Sequence, residues 1–237
     1  MAKLLILLFG ALKLGKMLPA ALTMLLSIGA YTLLFGWPFA VGFVLLIFVH
    51  EMGHYVAARS RGLRVGLPTF IPFVGAWVEL KDMPHDAETE AFVGIAGPFV
   101  GTLGALACYY LGRGGGSGLL LALAYSGFFL NLFNLIPLSP FDGGRITAAI
   151  SPRLWLIGAP LLVALFFYRP SPLLILMAIL ALPSVLKAWR GLRTPEEERY
   201  YAVTTQTRLT YGTFYLGLAV FLALMCEELS HELPRGR

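Results

Sequence analysis

The sequence predicts an all-α polytopic membrane protein with about six to seven transmembrane helices and a small membrane-associated β-hairpin. Of its 237 residues, 58% are hydrophobic and only 13% are charged, whereas an ordinary soluble domain has about 25% charged residues. Apolar stretches recur, each close to the roughly 20 residues that a helix needs to cross the hydrocarbon. Residues 64–80 are instead β-branched and aromatic, and glycines and prolines interrupt them.

The apolar stretches define the helices in order along the chain. The run from Lys3 to Leu14 predicts an interfacial or re-entrant helix, because no small-residue cleavage site of a signal peptide follows it. The fifth span is short and contains Pro160, so we expect the fifth and sixth spans to form a tight helical hairpin. The spans are predicted at residues 17–35, 39–58, 91–111, 118–137, 154–168, 171–187 and 209–226.

The basic residues indicate an orientation. If the loop after the second span is cytoplasmic, fourteen Lys and Arg residues lie inside and four lie outside, which is a positive-inside bias. We therefore expect an integral protein of a bacterial inner membrane, with a cytoplasmic N-terminus and an outside C-terminus. The bias also accounts for the net charge of +5. The sequence has no basic patch with interleaved aromatic residues, so nucleic-acid binding is not expected.

Residues 66–80 predict a short β-hairpin, with an extended loop as the alternative. Open sheet edges cannot face lipid, so the hairpin must lie against protein, line a wet cavity or lie in the membrane interface.

Ionisable residues at membrane depth are costly and usually functional. His50, Glu51 and His54 form H-E-x-x-H in the second span. Residues four apart share a helix face, so the two histidines can bind one metal ion. Glu51 can then act as general base on a water at that metal. The alternative is two structural histidines around a paired Glu51, which the cost of burying a carboxylate in hydrocarbon disfavours.

A catalytic zinc ion needs a third protein ligand and an open fourth position. The candidates are Glu79, His85, Asp86 and Asp142. His85 and Asp86 lie in a polar loop, where solvated side chains are the rule. Glu79 is the stronger rival, although it also fits a charge at the edge of the hairpin. Asp142 is favoured because it follows a membrane span in a segment broken by proline and glycine, and broken backbone at membrane depth is tolerated where it lines a cavity.

The depth of Asp142 is open at this point. His50 lies about 12 Å below the cytoplasmic boundary by helix rise, whereas a straight fourth helix from Gly118 to Pro137 would leave Asp142 near that boundary. Either the helix begins nearer Gly112, or residues 138–144 fold back towards the metal.

The segment from Asn134 to Gly143 has the form N-x-x-P-x-x-x-x-D-G. With H-E-x-x-H in an early span and the glycine-rich run Gly94–Gly101, it resembles the site-2 protease family of intramembrane zinc metalloproteases. The resemblance covers residues 39–150. It is to a minimal form of the family, because no loop here is long enough for the PDZ or CBS domains that many members carry.

The resemblance implies a core of three transmembrane helices plus the hairpin, one catalytic Zn²⁺, and hydrolysis of a peptide bond within or near a transmembrane helix of a membrane substrate. It implies His50, His54 and Asp142 as metal ligands, Glu51 as base, and Asn134 as the residue that holds substrate or stabilises the oxyanion. The predicted substrate contacts are Asn131, Gly75, Ala76 and Trp77, with a hydrogen bond between spans as the alternative for both asparagines.

The expected organisation follows from these assignments. Residues 1–38 hold the interfacial helix and first span, 39–150 the catalytic core, 151–190 a helical hairpin, and 191–237 a cytoplasmic linker, the last span and a short tail. The expected partners are a transmembrane protein substrate and the lipid bilayer. The alternative functions are a non-catalytic, zinc-stabilised membrane scaffold and a metal transporter.

Overall fold

The computed structural model describes residues 2–232, with side chains described from residue 17 onward, and this part of the chain is mostly helical. It contains one two-stranded antiparallel sheet, formed by β1 and β2. The elements are α1 (Ala2–Phe35), α2 (Trp37–Ser60), β1 (Val65–Ile71), β2 (Gly75–Leu80), α3 (Ala87–Gly115), α4 (Gly118–Asn134), α5 (Asp142–Ile150), a 3-10 turn (Pro152–Leu154), α6 (Trp155–Tyr168), α7 (Pro172–Arg190), α8 (Pro195–Tyr200) and α9 (Thr205–Glu232).

Five of the described helices are long and apolar enough to cross a membrane, namely α1 (from Met17), α2, α3, α7 and α9. Two shorter apolar helices are α4 and the segment Pro152–Tyr168. Large apolar side chains remain exposed on their outer faces, with Leu33 at 87% and Phe167 at 79%. Such surfaces are expected where lipid replaces water as the solvent. The predicted fold class, a polytopic helical membrane protein with a small β-hairpin, is confirmed.

Three elements differ from the expectations. The interfacial helix and the first span are one continuous helix, α1, which contains Pro19 without ending there. The short helix α5 was not expected, since its start Asp142-Gly-Gly has the composition of a loop. The short helix α8 lies in the linker between α7 and α9, and Thr194 caps it by accepting a hydrogen bond from Glu197 N.

The hairpin lies against protein, which is one of the three locations that its open edges allow. Strands β1 and β2 pair with Thr69 opposite Trp77. Phe70 is buried in a cluster with residues of α1 and α2, including Tyr31. The backbone N–H of Phe70 also donates to Thr23 Oγ1 of α1 at 3.3 Å. The outer edge of β1 is therefore held by α1.

Helix α3 lies at the centre of the molecule and packs against α2, α4 and α5. The closest approach to α2 is at Gly53, where an added Cβ would collide with the carbonyl group of Ala96. Only glycine permits two helix backbones to come so close. This contact brings the histidine-bearing turn of α2 directly against α3.

The chain reverses between α4 and α5. Leu138 and Phe141 in this loop are 1% and 5% exposed, and the backbone of the loop lies against Gly143 and Gly144, where any side chain would collide with it. Helix α4 begins at Gly118 rather than near Gly112. Of the two geometric alternatives for Asp142, the structure therefore shows the folded-back loop.

Candidate metal centre

His50 and His54 lie one turn apart on α2 and face the first residue of α5. Asp142 Oδ2 lies 3.1 Å from His50 Nε2 and 3.2 Å from His54 Nε2, and the two Nε2 atoms are 3.2 Å apart. All three side chains are buried. Among the described residues, they form a group of potential ligands whose atoms all lie within 4.8 Å of one another.

Hydrogen bonds on the far side of each ring determine its tautomer. Asn131 Nδ2 donates to Gly127 O at 2.7 Å, so its Oδ1 faces His50 and accepts from Nδ1–H at 2.8 Å. His54 Nδ1–H donates to Val93 O at 2.8 Å. With both protons on Nδ1, the two Nε2 lone pairs point towards each other and towards the carboxylate of Asp142.

This arrangement fits a bound cation. Three electron-rich atoms at these separations repel one another unless positive charge lies between them. Ligands placed tetrahedrally at about 2.0–2.1 Å from a zinc ion lie about 3.3–3.4 Å apart, close to the 3.1–3.2 Å separations found here. Two imidazoles and one carboxylate are a common ligand set for catalytic zinc, and a second partner on each histidine is typical of such sites.

Glu51 lies beside this group and is 6% exposed. Among the described residues, its carboxylate takes part in no hydrogen bond. In the part of the chain that the structure describes, only Ser27 Oγ is a fully buried side-chain polar atom without a partner. The carboxylate oxygens of Glu51 are therefore within reach of solvent, which fits a residue that exchanges a proton with water.

Three glycines of α3 make room for the ligand group and its neighbours. A Cβ at Gly97 would collide with the imidazole of His54, and one at Gly101 would collide with the amide of Asn131. A Cβ at Gly94 would lie 3.4 Å from the carbonyl oxygen of Asp142. The glycine-rich run of α3 thus allows the ligand-bearing helices to approach.

The other candidates for the third metal ligand lie outside the group formed by His50, His54 and Asp142. Glu79 is exposed on β2 beside Gly66, and His85 is exposed in the following loop. Asp86 caps α3 by accepting from Thr89 N at 2.7 Å. Asp142 is the candidate that the structure brings to the histidines.

The two asparagines have different surroundings. Asn131 is 1% exposed, and both ends of its amide are bonded, to His50 and to Gly127. Its amide is therefore held by these two bonds, and its expected contact with substrate stays a prediction. Asn134 is half-buried and donates to Leu130 O at 3.1 Å, so its catalytic role stays a prediction.

The remaining predicted substrate contacts lie on the hairpin, at and beyond its turn. Gly75 and Ala76 are half-buried at the start of β2, whereas Trp77 is 49% exposed. None of them belongs to the ligand group.

Two supports of α5 were not found from the sequence. Trp155 Nε1 donates to Gly144 O at 2.9 Å, and Thr147 Oγ1 donates to Gly143 O at 2.7 Å. Both bonds hold the backbone that follows Asp142. These two hydrogen bonds could not be predicted from the sequence, because an indole or hydroxyl near a glycine pair is not a recognised motif.

Comparison with known proteins agrees with this geometry. Residues 38–116 match the family described as peptidase family M50. A zinc metalloprotease of Methanocaldococcus jannaschii is 33% identical over 119 residues, which are 47% of this chain and 34% of that protein. Two chloroplastic proteins of Arabidopsis thaliana, both named as probable zinc metalloproteases, are also similar. One is 30% identical over 80 residues (32% of this chain, 15% of that protein), and the other is 27% identical over 162 residues (50% and 29%).

The chain thus spans no more than 34% of the length of these relatives. The family match includes α2 with its H-E-x-x-H, the hairpin and α3 with its glycines. Beyond the match, α5 begins with Asp142, the aspartate of the N-x-x-P-x-x-x-x-D-G segment. Residues 38–116, which carry both histidines and Glu51, therefore match peptidase family M50, the site-2 protease family.

Proposed function

We propose that this protein is an intramembrane zinc metalloprotease, which hydrolyses a peptide bond within or near a transmembrane helix of a membrane substrate. The observation that carries the proposal is the convergence of two imidazole nitrogens and a carboxylate oxygen beside the buried Glu51. The family match and the names of the relatives, which are zinc metalloproteases, support it.

His50, His54 and Asp142 would hold one zinc ion, which supplies Lewis acidity and lowers the pKa of a water molecule to about 7. Glu51 would accept a proton from the attacking water on a carboxylate oxygen and would then deliver it to the nitrogen of the leaving amine. Asn134 uses one amide hydrogen on Leu130 O. Its second amide hydrogen is available to donate to the developing oxyanion.

The hairpin supports a route for substrate. Because α1 holds the edge of β1 at Phe70, the edge of β2 is the one that we propose takes an added strand. An unwound substrate segment can pair with such an edge through backbone hydrogen bonds. Gly75, Ala76 and Trp77 are the proposed contacts on β2.

The distribution of basic residues supports the proposed placement in a bacterial inner membrane, with the N-terminus in the cytoplasm and the C-terminus outside. The loops after α2 and α7 carry Arg61, Arg64 and Arg193. Water and substrate would then reach the site from the cytoplasmic side.

The test is Glu51→Gln in the purified full-length chain, assayed for zinc content and for cleavage of a transmembrane peptide in detergent. We expect zinc to remain and the cleavage rate to fall by about 10²–10⁴-fold, the usual contribution of a general base. Glu198→Gln removes an exposed carboxylate on α8 and serves as the control, with wild-type cleavage.

Three outcomes would overturn the proposal. One is full cleavage by Glu51→Gln with zinc bound. Another is flux of zinc through proteoliposomes without peptide cleavage, which would indicate a transporter. The third is a wild-type chain that unfolds on loss of zinc but cleaves nothing, which would indicate a scaffold.

A further inference from the structure

The reversal between α4 and α5 is held in place by the last helix, α9. Tyr215 of α9 donates its hydroxyl to Leu135 O at 2.6 Å. Leu135 is 2% exposed, and its carbonyl group lies against Gly143, the neighbour of Asp142. A buried carbonyl must find its donor inside the protein. The bond from Tyr215 therefore determines where the loop rests on the start of α5.

Arg208 of α9 holds the opposite end of α5. Its Nη1 donates to the carbonyl of Ile150, the last residue of α5, at 2.6 Å. Its Nε and Nη2 donate to Val203 O at 3.1 Å and Tyr201 O at 3.2 Å. The last carbonyls of a helix have no partner within the helix, and a cation there also interacts favourably with the helix dipole.

These two residues belong to a narrow inner seam of α9. Leu222 and Leu229 continue the seam at the same seven-residue spacing, and both are fully buried. Leu222 packs in one cluster with Leu135 and with Ile146 of α5. The apolar members of the seam attach α9 to the core, and its two polar members both bind carbonyls at the boundaries of the Asp142 segment.

We propose that α9 is a positioning element of the metal centre, which places the carboxylate of Asp142 without touching the metal. The histidines have a separate support, because Asn131 of α4 and Val93 of α3 hold their rings. Helix α9 also packs against α4, which carries Asn131, but the polar side chains of Tyr215 and Arg208 bind carbonyls beside Asp142 and at the end of α5. The effect of these two side chains therefore falls on the carboxylate side of the ligand set. Helix α9 lies outside residues 38–116 of the family match, and the inference rests on the zinc site of the proposed function.

The test is Tyr215→Phe in the full-length chain, with zinc affinity measured by chelator competition and the visible absorption spectrum measured after loading with Co²⁺. Loss of an indirect support of a ligand typically weakens metal binding by about 10–100-fold, and we expect about tenfold here. The cobalt spectrum reports the geometry of the ligands, so it should change as well. A general loss of stability would leave the spectrum of the folded fraction unchanged.

The matched control is Tyr211→Phe, one turn earlier on α9. The Tyr211 hydroxyl lies 3.5 Å from Glu88 O of α3, and among the described residues it makes no hydrogen bond to the Asp142 segment. This variant should keep both the zinc affinity and the cobalt spectrum of the wild type. Arg208→Met provides a second test at the other end of α5, should Tyr215→Phe fail to fold, and it should also weaken zinc binding.

The positioning role would be refuted, and the proposed function left intact, if Tyr215→Phe kept the wild-type zinc affinity and cobalt spectrum. The same holds for Arg208→Met if Tyr215→Phe does not fold. An equal change in Tyr211→Phe would refute it too, by showing an unspecific loosening of α9. A wild-type chain that binds neither zinc nor cobalt would refute the proposed function and this inference together.

Discussion

The contact between Gly97 of α3 and the His54 ring of α2 is the tightest steric constraint on a ligand. A Cβ added at position 97 would lie 2.7 Å from His54 Cδ2 and still closer to Cε1 and Nε2. Carbon atoms in contact normally lie about 3.5–4.0 Å apart. In Gly97→Ala, the ring must therefore move by roughly 1 Å, whereas metal sites keep ligand distances within about 0.2 Å.

Separation of the helices would relieve this collision only by breaking the close packing of α2 and α3 at Gly53 and Ala96. A displaced ring also loses its hydrogen bond to Val93 O. We expect Gly97→Ala to weaken zinc binding by at least about 100-fold, which corresponds to about 2.7 kcal/mol. The assay is chelator competition with the purified chain, and circular dichroism checks that the helices are retained.

Gly104→Ala on the same helix is the matched control. Its added Cβ would lie 3.2 Å from Val49 Cγ1 and 3.3 Å from Leu46 Cδ2, and such side-chain ends can rotate away. Both substitutions favour the helix by about 0.5–1 kcal/mol, so a difference between them reports the collision alone. Wild-type zinc affinity in Gly97→Ala would refute the steric reasoning.

Two further predictions concern side chains near the site and at the hairpin. Asn131→Leu removes the acceptor for His50 Nδ1 and should weaken zinc binding by about 10–100-fold. Asn134→Leu should slow cleavage and leave the zinc affinity unchanged. Weaker zinc binding in Asn134→Leu together with wild-type zinc affinity in Asn131→Leu would contradict both assignments. Hydrogen bonds from Arg64 lower the pKa of Asp82 to about 2. The pKa of Asp82 in the folded protein thus lies below its pKa of about 3.9 in the unfolded chain. The pairing with Arg64 therefore stabilises the fold at pH values above the unfolded pKa, and this stabilisation is lost as the pH falls through the folded pKa. Carboxyl NMR of Arg64→Gln should show the pKa of Asp82 returning towards its ordinary value, and an unchanged midpoint would contradict the pairing.

The helices and the histidine pair could be predicted because both depend on local periodicity. A span is a run of apolar residues of sufficient length, and four-residue spacing places two side chains on one helix face in any context. The hairpin could be predicted from its β-branched and aromatic composition. The continuous helix α1 could not be predicted, since two lysines followed by Pro19 are compatible with either a break or a helix.

The sequence by itself determined the membrane class, the seven apolar helices, the hairpin, and the pair His50 and His54 with Glu51 between them. Only the tertiary structure decided which carboxylate joins them, because Asp142 is separated from His54 by 88 positions and reaches it through a reversed loop. It also decided that Asn131 supports His50 and that the glycines of α3 make room for the ligands. These features depend on the approach of separate helices, which local periodicity does not determine.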